Sequence, residues 1–311
     1  MRILVTGASG FVGGWLIKEL VAAGHEPIAA PSSSDLEITD AAAVRALVQR
    51  TRPEAVAHLA GMSFAPDARR EPDRAYAVNE GGTRSVMAAV VAASSAIPVL
   101  VVSSADVYGS PLATDLPLRE SAPLRADQPY GGSKIAQERA VFESLAAGGP
   151  PAVIVRSFNH VGPGQRSEFV VPALAQRILA AREAGDSTIA AGNVDVRRDF
   201  SDVRDVVRAY RLILEALDRT ALPAAPRIYN VASGRAVSIR AIAMALAALA
   251  GVDVDIRVDP QLVRASDPPE ITGDASLIAA DLGWRPLIPF ETTLSDIFKD
   301  AEHRARSAQA S

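Results

Sequence analysis

Short apolar runs that end in glycine or other small residues alternate along the chain with longer stretches of helical period, the pattern of strands each followed by a helix. Residues 2–6 form the first run, and a helix pattern over 14–23 stops at Gly24. Further strands are predicted over 26–30, 55–61, 98–102, 153–157 and 227–231. Residues 35–40 read as a short third strand running into a helix capped by Thr39 or Asp40. Helices are predicted over 73–96, 169–184 and 238–250, the last capped by Ser238. Strands that alternate with helices pair in parallel, so an α/β fold is expected.

Composition narrows the function more than the fold. With 311 residues, 49% hydrophobic and 22% charged, the chain can build a full core in one or two intimately joined domains. A net charge of -4 offers no general attraction to nucleic acid or an anionic membrane, so any phosphate recognition must be local. The absence of cysteine excludes disulfides, thiol nucleophiles and thiolate metal sites, and no metal site is expected. No apolar run is long enough to span a bilayer, and Met1-Arg2 leads straight into the first strand without room for a signal peptide. A soluble, cytoplasmic protein is expected.

The first strand runs into Gly7-Ala8-Ser9-Gly10-Phe11-Val12-Gly13 and then a helix. Amides at such a helix N-terminus bind a pyrophosphate, and the missing side chains of Gly7, Gly10 and Gly13 let it come close. Phe11 and Val12 belong to the same turn. The second strand ends at Pro31-Ser32-Ser33-Ser34, where no carboxylate stands to repel a 2′-phosphate and hydroxyls such as Ser33 could accept one. NADP(H) is therefore favoured, with NAD(H) possible; a polar turn with no say in cofactor choice stays open beside it. Glu37 is a candidate for the adenine amino group, and Ala60 stands where a cofactor could pass the end of its strand. His58, inside that strand, reads as a packed core histidine.

The chemistry centres on Tyr130-Gly131-Gly132-Ser133-Lys134. Four residues apart on a helix, phenol and ammonium share a face, and the ammonium is expected to lower the phenol's pKa towards working pH. Two glycines in a first turn cost about 1 kcal/mol each relative to alanine, so something must approach the backbone there. Ser104, Asp106 and Tyr108 stand at the carboxyl end of the strand over 98–102, on the side where open α/β sheets bind ligands.

Gly7-x-x-Gly10-x-x-Gly13, Asn79, Ser104 with Val107-Tyr108-Gly109, and Tyr130-x-x-x-Lys134 together resemble the extended short-chain dehydrogenase/reductases that act on nucleotide sugars. The resemblance implies a Rossmann-type doubly wound parallel sheet with a smaller C-terminal α/β lobe closing over a nucleoside diphosphate sugar. It divides the chain into a dinucleotide-binding domain (1–165 and 204–235) and a substrate domain (166–203 and 236–311). Tyr130 would be the acid/base, Lys134 would tune it and bind the nicotinamide ribose, and Ser104 would position the sugar C4 oxygen. Asn79 joins the cofactor residues. Asn159, Arg198 and Arg264 would hold the substrate diphosphate, Asp267 the nucleoside ribose, and Asp106 counts among the substrate-binding positions. Two arginines and an amide can neutralise a dianion that an acidic protein would otherwise repel. A homodimer packed through the helices beginning near Asp73 and Tyr130 is implied as well.

Longer stretches resemble the GDP-4-keto-6-deoxy-D-mannose reductases: Phe158-Asn159-His160-Val161-Gly162-Pro163-Gly164-Gln165, Phe169-Val170-Val171-Pro172, Arg197-Arg198-Asp199-Phe200-Ser201-Asp202-Val203-Arg204-Asp205 and Tyr229-Asn230-Val231-Ala232-Ser233-Gly234. A GDP-sugar is then the favoured substrate, reduced at a C4 ketone to GDP-rhamnose. A nucleotide-sugar 4-epimerase with bound NAD has nearly the same motifs. A GDP-mannose 4,6-dehydratase wants an acid/base pair beside the catalytic hydroxyl, where only Asp106 is available after Ala105. A non-catalytic dinucleotide-sensing module is the reading from another class, against which intact Ser104, Tyr130 and Lys134 weigh.

Overall fold

In the computed structural model, residues 1–218, 227–260 and 267–309 are described. Six parallel strands build the main sheet: β1 (Arg2–Thr6), β2 (Glu26–Ala29), β3 (Ala55–His58), β4 (Val99–Ser104), β5 (Ala152–Ser157) and β9 (Arg227–Val231). Their order is β2-β1-β3-β4-β5-β9. Successive side chains of a strand point to opposite faces, and both faces here are apolar, as a parallel sheet between helices requires. Ile3, Val5 and Leu100 enter one core with α1 (Phe11–Ala22) and α8 (Val203–Asp218). Leu4, Val99 and Val101 enter the other with α2 (Ala41–Thr51), α5 (Gly82–Ala93) and α6 (Pro129–Ala146).

A second group of strands carries β6 (Asn159–Val161), β7 (Thr188–Ala191), β8 (Arg197–Asp202), β10 (Ala236–Ser238), β11 (Asp255–Val258) and β12 (Glu270–Ile271). One sheet runs β10-β8-β12 with β6 also on β8, and β11 pairs β7. Helices α7 (Val170–Ala184), α9 (Ile239–Ala250) and α11 (Phe290–Gln309) close a separate core around Leu174, Ile178, Leu246 and Phe298. The chain returns to the first core through α8 and β9, and again through Ile278 of α10 (Ser276–Leu282) and the fully buried Trp284.

Three stretches depart from the pattern read in the sequence. Residues 35–40 form turns instead of a third strand, because Asp40 takes the amides of Ala42 and Ala43 and starts α2. The single helix expected over 73–96 is broken into α4 (Pro72–Tyr76), a π turn (Ala77–Gly81) and α5; α3 (Ala65–Arg70) precedes them. The extra residue of that turn carries Asn79 inward, where it is fully buried. No strand is predicted over 197–202, yet this charge-dense run forms β8 and leads into α8, with Asp199, Ser201, Asp202 and Asp205 buried.

Candidate active site

The turn from β1 into α1 is shaped by contacts that only glycine allows. Gly7 has φ +71°, and a Cβ there would lie 2.8 Å from the Ala60 nitrogen. A Cβ on Gly13 would come within 2.1 Å of the Gly7 carbonyl oxygen, and the Gly10 amide closes the turn by donating to that oxygen at 3.0 Å. No side chain among the described residues caps α1, which leaves the first-turn amides beside Phe11 and Val12 for an anion. Ala60, its amide on the Thr6 hydroxyl at 3.2 Å, flanks the same crevice. These residues fit a dinucleotide diphosphate. At the β2 end, Ser33 is exposed. One residue past the serines, however, the Asp35 carboxylate accepts from Ser32 at 2.8 Å, so an acid does stand at this turn. Glu37 is exposed, with one oxygen accepting from the Thr39 amide at 3.3 Å.

At the carboxyl end of β4, three successive residues each hold one residue of α6. The Lys134 ammonium donates to the Val102 carbonyl at 3.0 Å, the Ser103 hydroxyl donates to Glu138 at 2.6 Å, and the Ser104 hydroxyl is hydrogen-bonded to Tyr130. Ser104 in turn donates to the Asp106 carboxylate at 2.9 Å and accepts from the Asp106 amide at 3.1 Å. Its single proton thus rests on Asp106. The paired glycines are explained by close approach of the protein itself: a Cβ on Gly131 would lie 2.5 Å from the Asp106 carbonyl oxygen, and one on Gly132 2.4 Å from the Tyr76 hydroxyl.

The electrostatics correct one expectation. Tyr130 is not driven towards ionisation: burial pushes its phenol up, the Asp106 carboxylate pushes the same way, and the Ser104 hydrogen bond only partly offsets them. The Lys134 ammonium is turned to Val102 and to Gln137, at 2.8 Å, rather than to the phenol. Burial in turn lowers Lys134 to about 8, with Glu138 opposing. Gln137 donates to the Thr83 hydroxyl at 2.9 Å, and Thr83 meets His58 at 3.0 Å. His58, lowered to about 3 by burial and then by Lys134, is a neutral core histidine. Asn79 reaches the crevice only indirectly. Its amide bonds the Met62 backbone at 2.9 and 3.1 Å and the Ser133 hydroxyl at 2.8 Å, which ties the end of β3 to α6.

At the other end of the crevice, Asn159 is exposed on β6 and pairs in register with Phe200 of β8. Two residues earlier on β8, Arg198 donates to the Asp267 carboxylate at 2.8 Å and to the Pro268 carbonyl at 2.8 Å. Arg198 and Asp267 are thereby brought together, whereas Arg264 lies outside the described residues. The segment after β5 crosses to the cofactor helix, with the Trp15 indole donating to the Pro163 carbonyl at 3.1 Å. Sequence reasoning passed over Glu138 and Arg156, a buried pair 2.7 Å apart behind Lys134. The spacing Tyr130, Lys134, Glu138 along one helix face was the available signal. Among the described residues no cluster of ligands suited to a metal occurs, and no helix is long and apolar enough to cross a membrane.

A parallel sheet with a glycine turn at one strand end and a Ser-Tyr-Lys face at another defines a dinucleotide-dependent oxidoreductase fold. The chain belongs to the NAD dependent epimerase/dehydratase family, whose model matches residues 3–232. It is 34% identical over 309 residues to the GDP-6-deoxy-D-mannose reductase of Pseudomonas aeruginosa, covering 98% of each chain. The structure of RMD from Pseudomonas aeruginosa complexed with NADPH superposes with a TM-score of 0.88 at 32% identity, covering 97% of this chain and 99% of the other. The UDP-glucose 4-epimerase of Thermus thermophilus in complex with NAD superposes with a TM-score of 0.84 at 25% identity, covering 97% and 99%.

Proposed function

We propose that the chain reduces the C4 ketone of a nucleotide-activated 6-deoxy-4-keto-sugar, GDP-4-keto-6-deoxy-D-mannose, to GDP-D-rhamnose. The observation that carries this reading is the Asp106 carboxylate, anchored on the Ser104 hydroxyl at 2.9 Å beside the buried Tyr130. Burial and this anion both disfavour the phenolate, so Tyr130 is held as a proton donor, the role reduction demands. An epimerase must begin by removing a proton, for which a phenol raised by burial and a nearby anion is poorly prepared. The similarity to the Pseudomonas reductase supports the same substrate class.

Bound at the α1 turn and along the ends of β3 and β4, NADPH would supply the hydride to C4; NADP(H) is favoured and NAD(H) possible. Tyr130 would give its proton to the developing alkoxide, Ser104 would turn its hydroxyl from Asp106 to that oxygen, and the phenolate left behind would regain a proton from solvent. Lys134, its ammonium held by Val102 and Gln137, would bind the nicotinamide ribose. Asn159, Arg198 and Arg264 hold the diphosphate and Asp267 the nucleoside ribose, with residues 166–203 and 236–311 serving as the substrate domain. We read the working form as a cytoplasmic homodimer packed through the helices over 72–93 and 129–146, where Tyr76 and Val91 are exposed apolar positions.

Offered GDP-4-keto-6-deoxymannose, the purified protein should oxidise NADPH in proportion to sugar and yield a 6-deoxyhexose. Offered a UDP-hexose without added cofactor, it should leave it unchanged. Interconversion of UDP-glucose and UDP-galactose, with no NADPH consumed by the keto-sugar, overturns the reading in favour of an epimerase.

A further inference from the structure

Glu138 stands one turn beyond Lys134 on α6 and is 2% exposed, and Arg156 of β5 is 3% exposed. The guanidinium meets the carboxylate as a fork, Nε to one oxygen at 2.9 Å and Nη2 to the other at 2.7 Å. The Ser103 hydroxyl adds a third donor at 2.6 Å. The remaining Arg156 nitrogen donates to the Tyr108 hydroxyl at 3.1 Å and to the Glu120 carbonyl at 2.9 Å, and Tyr108 donates to Asn230 of β9 at 2.7 Å. One acid on α6 is thereby tied to β4, β5, the turn after β4 and, through Tyr108, β9.

Such a pair is a weak source of stability. Desolvating both charges offsets most of their attraction, and apolar replacements of similar volume are often neutral or stabilising. Its location suggests another role. Tyr130, Lys134 and Glu138 recur at intervals of four and lie along one helix face, gripped in turn by Ser104, Val102 and Ser103. Of the three, Glu138 alone has no part to play towards a ligand, so its grip can be permanent.

We propose that Glu138 is a positioning residue: fixed by Arg156 and Ser103, it sets α6 on the sheet and presents Lys134 to the cofactor ribose. This rests on the reductase reading above. The carboxylate also acts on the ammonium through space, opposing the loss of charge that burial favours. Of the other titratable groups around Lys134, His58 of β3 is neutral and Tyr130 shares its helix, while Arg156, Tyr108 and Glu120 belong to the network around Glu138.

The test is NADPH affinity as a function of pH, read by fluorescence titration of the intact protein without sugar. The wild-type affinity is expected to fall as pH rises through about 8, and Lys134→Met to abolish that break. Glu138→Gln should move the break down by roughly half a unit or more, and Glu138→Asp, which keeps the charge, should restore it. A folded Glu138→Gln protein with an unmoved break overturns the proposal, as does a break that survives in Lys134→Met. Should glutamine at 138 prevent folding, Ser103→Ala, which keeps the ion pair but releases it from β4, should weaken NADPH by about threefold or more. Unchanged affinity in that variant overturns the proposal equally. Failure to reduce any keto-sugar would count against the reductase reading alone, since this titration contains no sugar.

Discussion

The Ser104 hydroxyl donates to the Asp106 carboxylate across 2.9 Å while Tyr130 is hydrogen-bonded to the same serine. A neutral phenol is therefore the resting state, and a substrate oxygen entering beside Ser104 meets a donor rather than a base.

Tyr130→Phe should keep the fold and NADPH binding and lose turnover by ~10²–10⁴, because only the proton donor is removed. Steady-state kinetics on the keto-sugar check it; activity within about threefold of wild type would mean that the proton comes from elsewhere. Asp106→Asn removes the anion that opposes ionisation, so the phenol should titrate at lower pH than in the wild type. Difference absorbance of tyrosinate during alkaline titration, with Tyr130→Phe as the subtraction control, reads that shift.

How much of this was visible in the sequence differs from residue to residue. The glycine turn and the strand ends were legible because φ > 0 at Gly7 and the backbone approach at Gly13 admit no other residue. Tyr130 and Lys134 were legible as a pair, but the sign of their electrostatics was not. Helical spacing puts phenol and ammonium on one face, and only the fold shows the ammonium turned to Val102 and an acid two residues past Ser104 whose charge opposes ionisation of the phenol. The π turn that buries Asn79 ends at Gly81, followed by Gly82; this glycine pair weakens the helix but does not by itself say that an extra residue is inserted there. Asp199 read as one charge in a polar run. Its carboxylate in fact collects the amides of Ser233, Gly234 and Gly273, three contacts made by distant parts of the chain.

Lys134 gives the site its alkaline limit. Its pKa is lowered to about 8 in the folded protein against 10.5 unfolded, so kcat/KM for NADPH should decline as pH rises through about 8. The unfolded chain binds the extra proton between those two values, which means that this residue makes folding more favourable as pH rises through the same window. Activity and stability should therefore move in opposite directions there. A pH-rate profile and thermal melts from pH 7 to 10.5, each repeated on Lys134→Met, separate this from general alkaline denaturation. Parallel decline of both in the wild type would refute it.

Arg198, two residues before the Phe200 that pairs with Asn159, is held by Asp267 and the Pro268 carbonyl. Arg198→Ala should weaken GDP binding in calorimetry by about 1.5–3 kcal/mol, the contribution of a charged hydrogen bond. Asp267→Asn should weaken it less, since Arg198 keeps its grip on the backbone. Equal affinity in wild type and Arg198→Ala would return the arginine to a purely structural ion pair.

Asp35, the residue after the three serines, should weigh on cofactor choice. Its carboxylate accepts from Ser32, and the Ser32 hydroxyl in turn lies 2.7 Å from that of Ser34, so the hydroxyls best placed for a 2′-phosphate stand next to an anion. At an exposed site the repulsion is screened by solvent, and NADPH should still bind at least as well as NADH. Removing the charge should widen that preference. Asp35→Asn is expected to tighten NADPH by roughly threefold to tenfold at low salt, to leave NADH within about twofold, and to lose part of the gain as salt is raised. Equal tightening of both cofactors would show that Asp35 shapes the turn and does not sense the phosphate. Weaker NADPH binding in the variant would show instead that the carboxylate is needed to aim the Ser32 hydroxyl, and that order of effects is distinguishable in a single pair of fluorescence titrations.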